Sequence, residues 1–174
     1  AGRRGGQLAG GGEELGLRTL FNILGPMANP AGITRQLIGV YDRSLCRPVA
    51  EVLQRLGSEH VMVVHSVDGL DEISLAADTH IAELKNGEVS EHTLQPEQLG
   101  FKREPLQDLV VEGADASLQL LSAALAGEQD QRSRRAARLI ALNAGAALYV
   151  AGISESIKGG VELANEVLSS GAGL

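Results

Sequence analysis

The sequence predicts a mixed α/β fold, in which a mostly parallel sheet carries flanking helices and one β-hairpin. A strand, a helix and a second strand follow one another between residues 36 and 64, which is the order of a βαβ unit. Asn86-Gly87 separates two strand-like segments and favours a tight hairpin. From residue 114 onward, apolar side chains recur at helical spacing.

The βαβ unit begins with a short buried strand at residues 36–41. Asp42 or Ser44 can cap the helix that follows, which is expected to run through Leu56. Residues 61–64 are a continuous β-branched run, typical of a strand covered on both faces. A right-handed crossover and a parallel strand pair are therefore expected.

The other elements follow from turn residues and apolar spacing. The hairpin arms are residues 80–85 and 88–93, and a helix is predicted at residues 15–24. Three further helices are expected, the last of them capped by Ser154. Their apolar stripes are Leu118, Leu121 and Leu125; then Leu139, Leu142, Ala146 and Tyr149; then Ile157, Val161, Ala164 and Leu168.

Composition excludes several classes of protein. The chain has 174 residues, of which 44% are hydrophobic and 21% charged, as expected for one globular domain. Its net charge of −7 argues against nucleic acid as a partner. The single cysteine, Cys46, excludes an internal disulfide and fits a reducing compartment. No segment approaches the roughly 20 apolar residues of a membrane helix, so we expect a cytoplasmic protein without a membrane partner.

The chain divides into two segments of unequal length. Residues 1–14 are rich in glycine and offer almost nothing to bury, so they are expected to be disordered. Residues 15–174 are expected to form the folded α/β part.

The sharpest candidate site is Asp68-Gly69-Leu70-Asp71-Glu72, just beyond the carboxyl end of the second predicted strand. Open α/β sheets bind ligands at that end. Asp71 and Glu72 could hold one or two magnesium ions, because Mg²⁺ uses one or two carboxylates together with water and substrate phosphate. An ordinary solvated Asp-Gly turn explains the same residues equally well on spacing alone.

The turn at residues 22–30, NILGPMANP, is a second candidate, since its two prolines and its glycine fix the backbone, while small and amide side chains leave room for a ligand. An ordinary connection between helix and strand is the stronger interpretation from the residues alone.

The arginines near the start of the third predicted helix are interpreted as a solvated helix face; they are Arg132, Arg134, Arg135 and Arg138. The four histidines do not form a metal set, and no catalytic group is identified.

Several motifs together resemble one enzyme family. LGLRTLFNILGPMANPAG, QLIGVYD, VVHSVDGLDEIS and LNAGAALYVAG, in this order, are similar to the anthranilate phosphoribosyltransferases of tryptophan biosynthesis. The resemblance runs from about Leu15 to near the C-terminus and implies the C-terminal portion of a nucleoside phosphorylase/phosphoribosyltransferase-type catalytic domain. It implies transfer of phosphoribosyl from phosphoribosyl pyrophosphate to the amine of anthranilate, with pyrophosphate leaving and Mg²⁺ required.

The resemblance also implies roles for particular residues. Asp71 and Glu72 would bind Mg²⁺, and Gly25 and Pro26 would line the anthranilate pocket. Asn143 matches a motif position and is read as structural. The family is commonly homodimeric through its helical domain, so a homodimer is implied for a full-length protein.

Some of the family's motifs are missing from these 174 residues. The GTGGD, N-x-S-T and K-H-G-N-R segments, which hold most phosphoribosyl pyrophosphate contacts in the family, do not occur. Gly12 and Glu13 stand where the family has two basic residues. An incomplete, inactive chain is therefore expected. Two alternatives are a non-catalytic homologue that binds a ligand or partner, and an enzyme of the pyrimidine nucleoside phosphorylase type.

Overall fold

The computed structural model describes residues 32–170. The chain separates into two units, Ala1–Ile33 and Thr34–Leu174, and the elements below all belong to the second. The glycine-rich segment at residues 1–14, the predicted helix at residues 15–24 and the predicted substrate-binding residues Gly25 and Pro26 lie outside the described residues.

Four strands form one sheet in the order β1-β2-β3-β4. They are β1 (Arg35–Gly39), β2 (His60–Ser66), β3 (Thr79–Lys85) and β4 (Glu88–Leu94). β1 and β2 are parallel, whereas β2–β3 and β3–β4 are antiparallel. The mixed α/β class is confirmed, but the described sheet is less parallel than expected, because its second half is a hairpin.

The predicted βαβ unit is present. Asp42 accepts hydrogen bonds from the Ser44 amide (2.8 Å) and hydroxyl (2.7 Å), and begins a 3₁₀ turn at Arg43–Leu45. Helix α1 (Cys46–Arg55) continues from that turn and buries one face. The predicted cap is therefore Asp42, and Ser44 is its hydrogen-bond donor.

The β3–β4 hairpin has the predicted two-residue turn. Asn86 and Gly87 both have positive φ, at 53° and 80°. A type I′ turn needs positive φ at both central residues, and Asn-Gly meets this requirement at low cost. The pairing of Lys85 with Glu88 follows directly from this turn.

Three helices complete the described part: α2 (Ala114–Leu125), α3 (Gln131–Ala151) and α4 (Ile157–Ser170). In α2, Ala124 is buried, whereas Leu118 and Leu121 of the predicted stripe are exposed. The predicted cap of α4 is wrong by two residues. Ser156 immediately precedes the helix and its Oγ accepts the Gly159 N–H at 3.1 Å, whereas the Ser154 hydroxyl donates to the Ser156 carbonyl.

The main core lies between the sheet and α3, with α4 adding one buried valine. Its members come from β2, β3, the loop between them, β4, α3 and α4, so the inner face of the sheet is covered by the long helix. The buried residues are Met62, Val64, Ile73, Leu75, Ile81, Leu94, Leu142, Ala146, Val150 and Val161. None of the helices within residues 32–170 is long and apolar enough to cross a bilayer.

Candidate functional site

The loop after β2 contains the candidate metal residues. It begins at Val67, directly beyond the last residue of β2, and lies at the carboxyl end of the parallel β1–β2 pair. The Ser66 N–H donates to the Leu70 carbonyl (2.9 Å), and the Gly69 N–H donates to the Ser66 carbonyl (2.9 Å). The loop therefore turns back on the strand end, and its predicted position at the carboxyl edge of the sheet is confirmed.

Asp71 and Glu72 are both exposed and adjacent in sequence. Within residues 32–170, neither carboxylate has a hydrogen bond or an ion pair. The protein around the Glu72 carboxyl group partly shields it from water, and this shielding, followed by the charge of Asp71, raises the pKa of Glu72. A cation would relieve both effects, because an opposite charge stabilises a carboxylate.

These two residues fit a divalent cation that keeps most of its own water. In the described part of the chain, no group of three or more His, Cys, Asp and Glu side chains is placed to hold a metal ion. Asp71 and Glu72 would thus supply one or two ligands. That number is typical of Mg²⁺ sites completed by water and substrate phosphates.

Strand β1 approaches the loop through Gly39. A Cβ atom built on Gly39 would lie 1.6 Å from the Asp71 carbonyl oxygen, so the Asp71 backbone occupies the space that a side chain would need. A glycine inside a strand is a recognised sign of close backbone approach. This feature was missed from the sequence, although Gly39 in the QLIGVYD segment carried the signal.

Helix α3 approaches the loop from another side through Asn143. Its amide oxygen accepts the Ile73 N–H at 2.9 Å, and its amide nitrogen donates to the Ile73 carbonyl at 2.9 Å. Ile73 directly follows Glu72 and is 2% exposed. The sequence predicts a structural role for Asn143, but its contact with this loop spans 70 residues that no local pattern connects.

Asp68 stabilises the loop from within. The Ser74 hydroxyl donates to its carboxylate at 2.6 Å and accepts the Ala76 N–H at 2.9 Å. Burial alone would raise the pKa of Asp68, but the hydrogen bonds from Ser74 and Ser66 outweigh it, so that the pKa is lowered. Asp68 is thus an ionised structural residue, whereas Asp71 and Glu72 remain available.

The Asp68–Ser74 bond predicts a pH-dependent effect of Ser74→Ala. Since the folded pKa of Asp68 lies below its unfolded value, the ionised carboxylate adds stability above about pH 4, and that stability is lost as the pH falls through the folded pKa. The variant should lose about 1–2 kcal/mol of unfolding free energy at neutral pH, and the difference should shrink below pH 4. Denaturant unfolding from pH 3 to 7 measures this, with the exposed Ser90→Ala as control. A difference independent of pH would contradict it.

An apolar pocket of about 390 Å³ lies on the Asp68 side of the loop. Asp68 and Leu70 form one wall, and the segment from Leu106 to Val110 contributes another. Its volume is within the range of small-molecule pockets. Asp71 and Glu72 are not part of its lining.

The predicted solvated arginine face is wrong for Arg135, which is 6% exposed. Its Nε donates to Glu104 at 3.1 Å, and its Nη1 pairs with Asp108. Arg138 also pairs with Glu104. The acidic partners lie on the connection before α2, so helical periodicity alone could not reveal that this connection covers Arg135.

Three of the histidines have hydrogen-bond partners of their own, and the cysteine is buried. His60 Nε2 lies 2.8 Å from Glu83, His65 Nδ1 lies 2.9 Å from the Val40 carbonyl, and His80 Nε2 lies 3.1 Å from Glu91. Cys46 is completely buried, which raises the pKa of its thiol to about 11. A thiol in that state is a poor nucleophile.

Residues 7–174 match the family described as the glycosyl transferase family, a/b domain. The chain belongs to this family. The match begins inside the glycine-rich segment and reaches the last residue. The a/b description agrees with the mixed α/β fold.

Curated relatives make the resemblance to anthranilate phosphoribosyltransferases definite. The chain is 61% identical over 159 residues to the anthranilate phosphoribosyltransferase of Marinobacter nauticus, covering 91% of this chain and 46% of that protein. It is 58% identical over 163 residues to that of Stutzerimonas stutzeri, covering 94% and 47%. The chain therefore spans about half the length of the curated relatives that it matches.

Solved structures share the fold. The anthranilate phosphoribosyltransferase of Thermus thermophilus superposes with a TM-score of 0.77 at 40% identity, covering 92% of this chain and 46% of that one. The enzyme of Saccharomyces cerevisiae in complex with PRPP and Mg gives 0.76 at 24% identity, with the same coverage. The expected fold class is confirmed.

Proposed function

We propose that this chain is the α/β half of an anthranilate phosphoribosyltransferase, and that Asp71 and Glu72 are its metal-binding residues. One observation carries the proposal: an adjacent carboxylate pair has no hydrogen bond or ion pair within residues 32–170, and it lies on an anchored loop at the carboxyl edge of the sheet. The names of the relatives at 58–61% identity supply the reaction class.

The proposed reaction moves the phosphoribosyl group of phosphoribosyl pyrophosphate to the amine of anthranilate. The bond from C1 of the sugar to the pyrophosphate oxygen breaks, and a bond from C1 to the anthranilate nitrogen forms. The products are N-(5-phosphoribosyl)anthranilate and pyrophosphate, and the amine loses one proton. When bound, Mg²⁺ would neutralise charge that develops on the departing pyrophosphate.

In that reaction, the residues of this chain would hold the cation in a fixed position. Asp71 and Glu72 would bind the cation through carboxylate oxygens. Gly39 lies against the peptide between the two residues and Asn143 binds the residue that follows them, so little reorganisation is needed when the substrate binds. We further propose that Gly25 and Pro26 line the anthranilate pocket, as the resemblance implies.

Four other expectations remain proposals. We propose that a full-length protein is cytoplasmic and homodimeric, and that its partners are small molecules, with neither nucleic acid nor membrane among them. The acidic net charge of −7 is in keeping with the absence of a nucleic-acid partner. We also propose that these 174 residues alone lack transferase activity, because the phosphate-binding segments of the family do not occur in them.

A chimera tests the proposed function. Residues 15–174 replace the matching half of the Marinobacter nauticus relative, and circular dichroism establishes that the product folds. Loss of anthranilate fluorescence with phosphoribosyl pyrophosphate and Mg²⁺ is expected for the chimera and not for the 174-residue chain alone. A folded, inactive chimera beside an active parent would contradict the transferase function. Phosphorolysis of a pyrimidine nucleoside by the chimera would favour the alternative enzyme class.

A further inference from the structure

We propose that Asn143 is a positioning residue for the Asp71–Glu72 pair, acting from helix α3 on the backbone that follows the pair. The inference deepens the proposed function and rests on the cation-binding role of the two carboxylates. It gives a functional reason for a polar side chain on the helix that covers the core.

The oxygen and the nitrogen of the Asn143 side-chain amide both hydrogen-bond to the backbone of Ile73. The amide accepts the Ile73 N–H and donates to the Ile73 carbonyl, each at 2.9 Å, and it also donates to the Leu139 carbonyl at 3.1 Å. The opposite amide orientation would bring the amide oxygen against two carbonyl oxygens. Only an amide in this orientation satisfies all three backbone groups.

The backbone N–H and carbonyl of Ile73 depend on Asn143 for their hydrogen bonds. Within residues 32–170, no backbone group hydrogen-bonds to the Ile73 N–H or carbonyl. The residue is 2% exposed and packs in the core cluster, so that its backbone groups have little access to water. Without Asn143, a buried donor and acceptor would lose their partners, and the peptide next to Glu72 would be expected to turn toward water.

The loop is thereby held at two points of its backbone. Between the two acidic residues, the Asp71 carbonyl occupies the space beside Gly39. On the carboxyl-terminal side, Asn143 binds Ile73. Helix α3 is itself anchored by the fully buried Leu142 and Ala146, which flank Asn143 in sequence. Core packing thus sets the place of two exposed charges.

The effect of losing the amide should appear in cation binding. Residues that orient the metal ligands without contacting the metal typically contribute 10–100-fold to metal affinity. Asn143→Ala removes all three hydrogen bonds, and Asn143→Gln moves the same amide one methylene away from Ile73. We expect both variants to weaken cation binding by about tenfold, the lower end of that range.

The experiment is a Mn²⁺ titration of the 174-residue chain followed by nuclear magnetic resonance. Mn²⁺ is expected to broaden the backbone amide signals of Gly69–Glu72, and the concentration at half broadening measures affinity. Two controls accompany the Asn143 variants. Val150→Ala on α3 lowers stability through a 2% exposed core residue, and Asn165→Ala makes the same change at an exposed position of α4.

The expected result is a tenfold higher Mn²⁺ requirement in Asn143→Ala, with both controls unchanged. An unchanged requirement in Asn143→Ala, or an equal rise in Val150→Ala, would overturn the positioning role. If Asn143→Ala does not fold, Asn143→Gln decides by the same criterion. Absence of loop broadening in the unmodified chain would instead contradict the proposed metal site, and with it this inference.

Discussion

Asp71→Asn combined with Glu72→Gln is expected to lower turnover of the chimeric transferase by at least about 100-fold. Metal ions contribute several kcal/mol to the stabilisation of developing charge, and each 1.36 kcal/mol is a factor of ten in rate. The two amides keep the shape of the side chains but remove the negative charges that would hold the cation.

The same double substitution should leave stability almost unchanged. Both residues are exposed, and substitutions at such positions usually change the free energy of unfolding by less than about 0.5 kcal/mol. Because the folded pKa of Glu72 is raised, its ionised form opposes folding at neutral pH, and this opposition disappears as the pH falls through that pKa. Removal of the charge therefore costs the fold nothing at pH 7.

The measurements are steady-state turnover and denaturant unfolding of the same preparations. Glu162→Gln is the matched control, since Glu162 is exposed on α4 and has no hydrogen bond or ion pair within residues 32–170. It should keep the parent rate. Parent-like turnover in the double variant would show that Asp71 and Glu72 do not take part in the reaction.

Gly39→Ala is expected to cause the largest loss of stability from a single added methyl group. The new Cβ would lie 1.6 Å from the Asp71 carbonyl oxygen and 2.6 Å from its carbon, so either β1 or the loop must move. Overpacking of this kind costs about 1–3 kcal/mol, and occasionally more. A displaced loop should also bind Mn²⁺ more weakly.

Gly159→Ala provides the control for this prediction. Its Cβ would meet the hydroxyl oxygens of Ser154 at 2.9 Å and Ser156 at 3.4 Å, which are ends of side chains that can rotate. Chemical denaturation should show a clear loss for Gly39→Ala and a small change for Gly159→Ala. Equal effects of the two substitutions would mean that Asp71 does not occupy the space beside Gly39.

The features that the sequence predicted well are those that depend on neighbouring residues. The Asn86-Gly87 turn needs only two positive φ angles, and the cap at Asp42 needs only a donor two residues away. The edge position of the acidic loop follows from its place after a buried parallel strand. Each of these is encoded within a few residues, so a local pattern identifies it.

Apart from the cap of α4, which is a local error, the features that were missed depend on residues far apart in the chain. Arg135 is buried because Glu104 and Asp108 reach it from about 30 residues away, and Asn143 reaches Ile73 across 70 residues. Helical periodicity predicts on which face of the helix a residue lies, but it does not predict which distant residue contacts it. The hairpin was predicted, but its consequence, a sheet with two antiparallel pairings, was underestimated.

Cation binding by Asp71 and Glu72 can be observed in an anomalous-difference map of the chimera crystallised with Mn²⁺ and phosphoribosyl pyrophosphate. We expect a Mn²⁺ peak in contact with a carboxylate oxygen of Asp71 or Glu72, next to the pyrophosphate. A pyrophosphate-bound Mn²⁺ peak held by other residues, with both carboxylates left in solvent, would contradict this expectation.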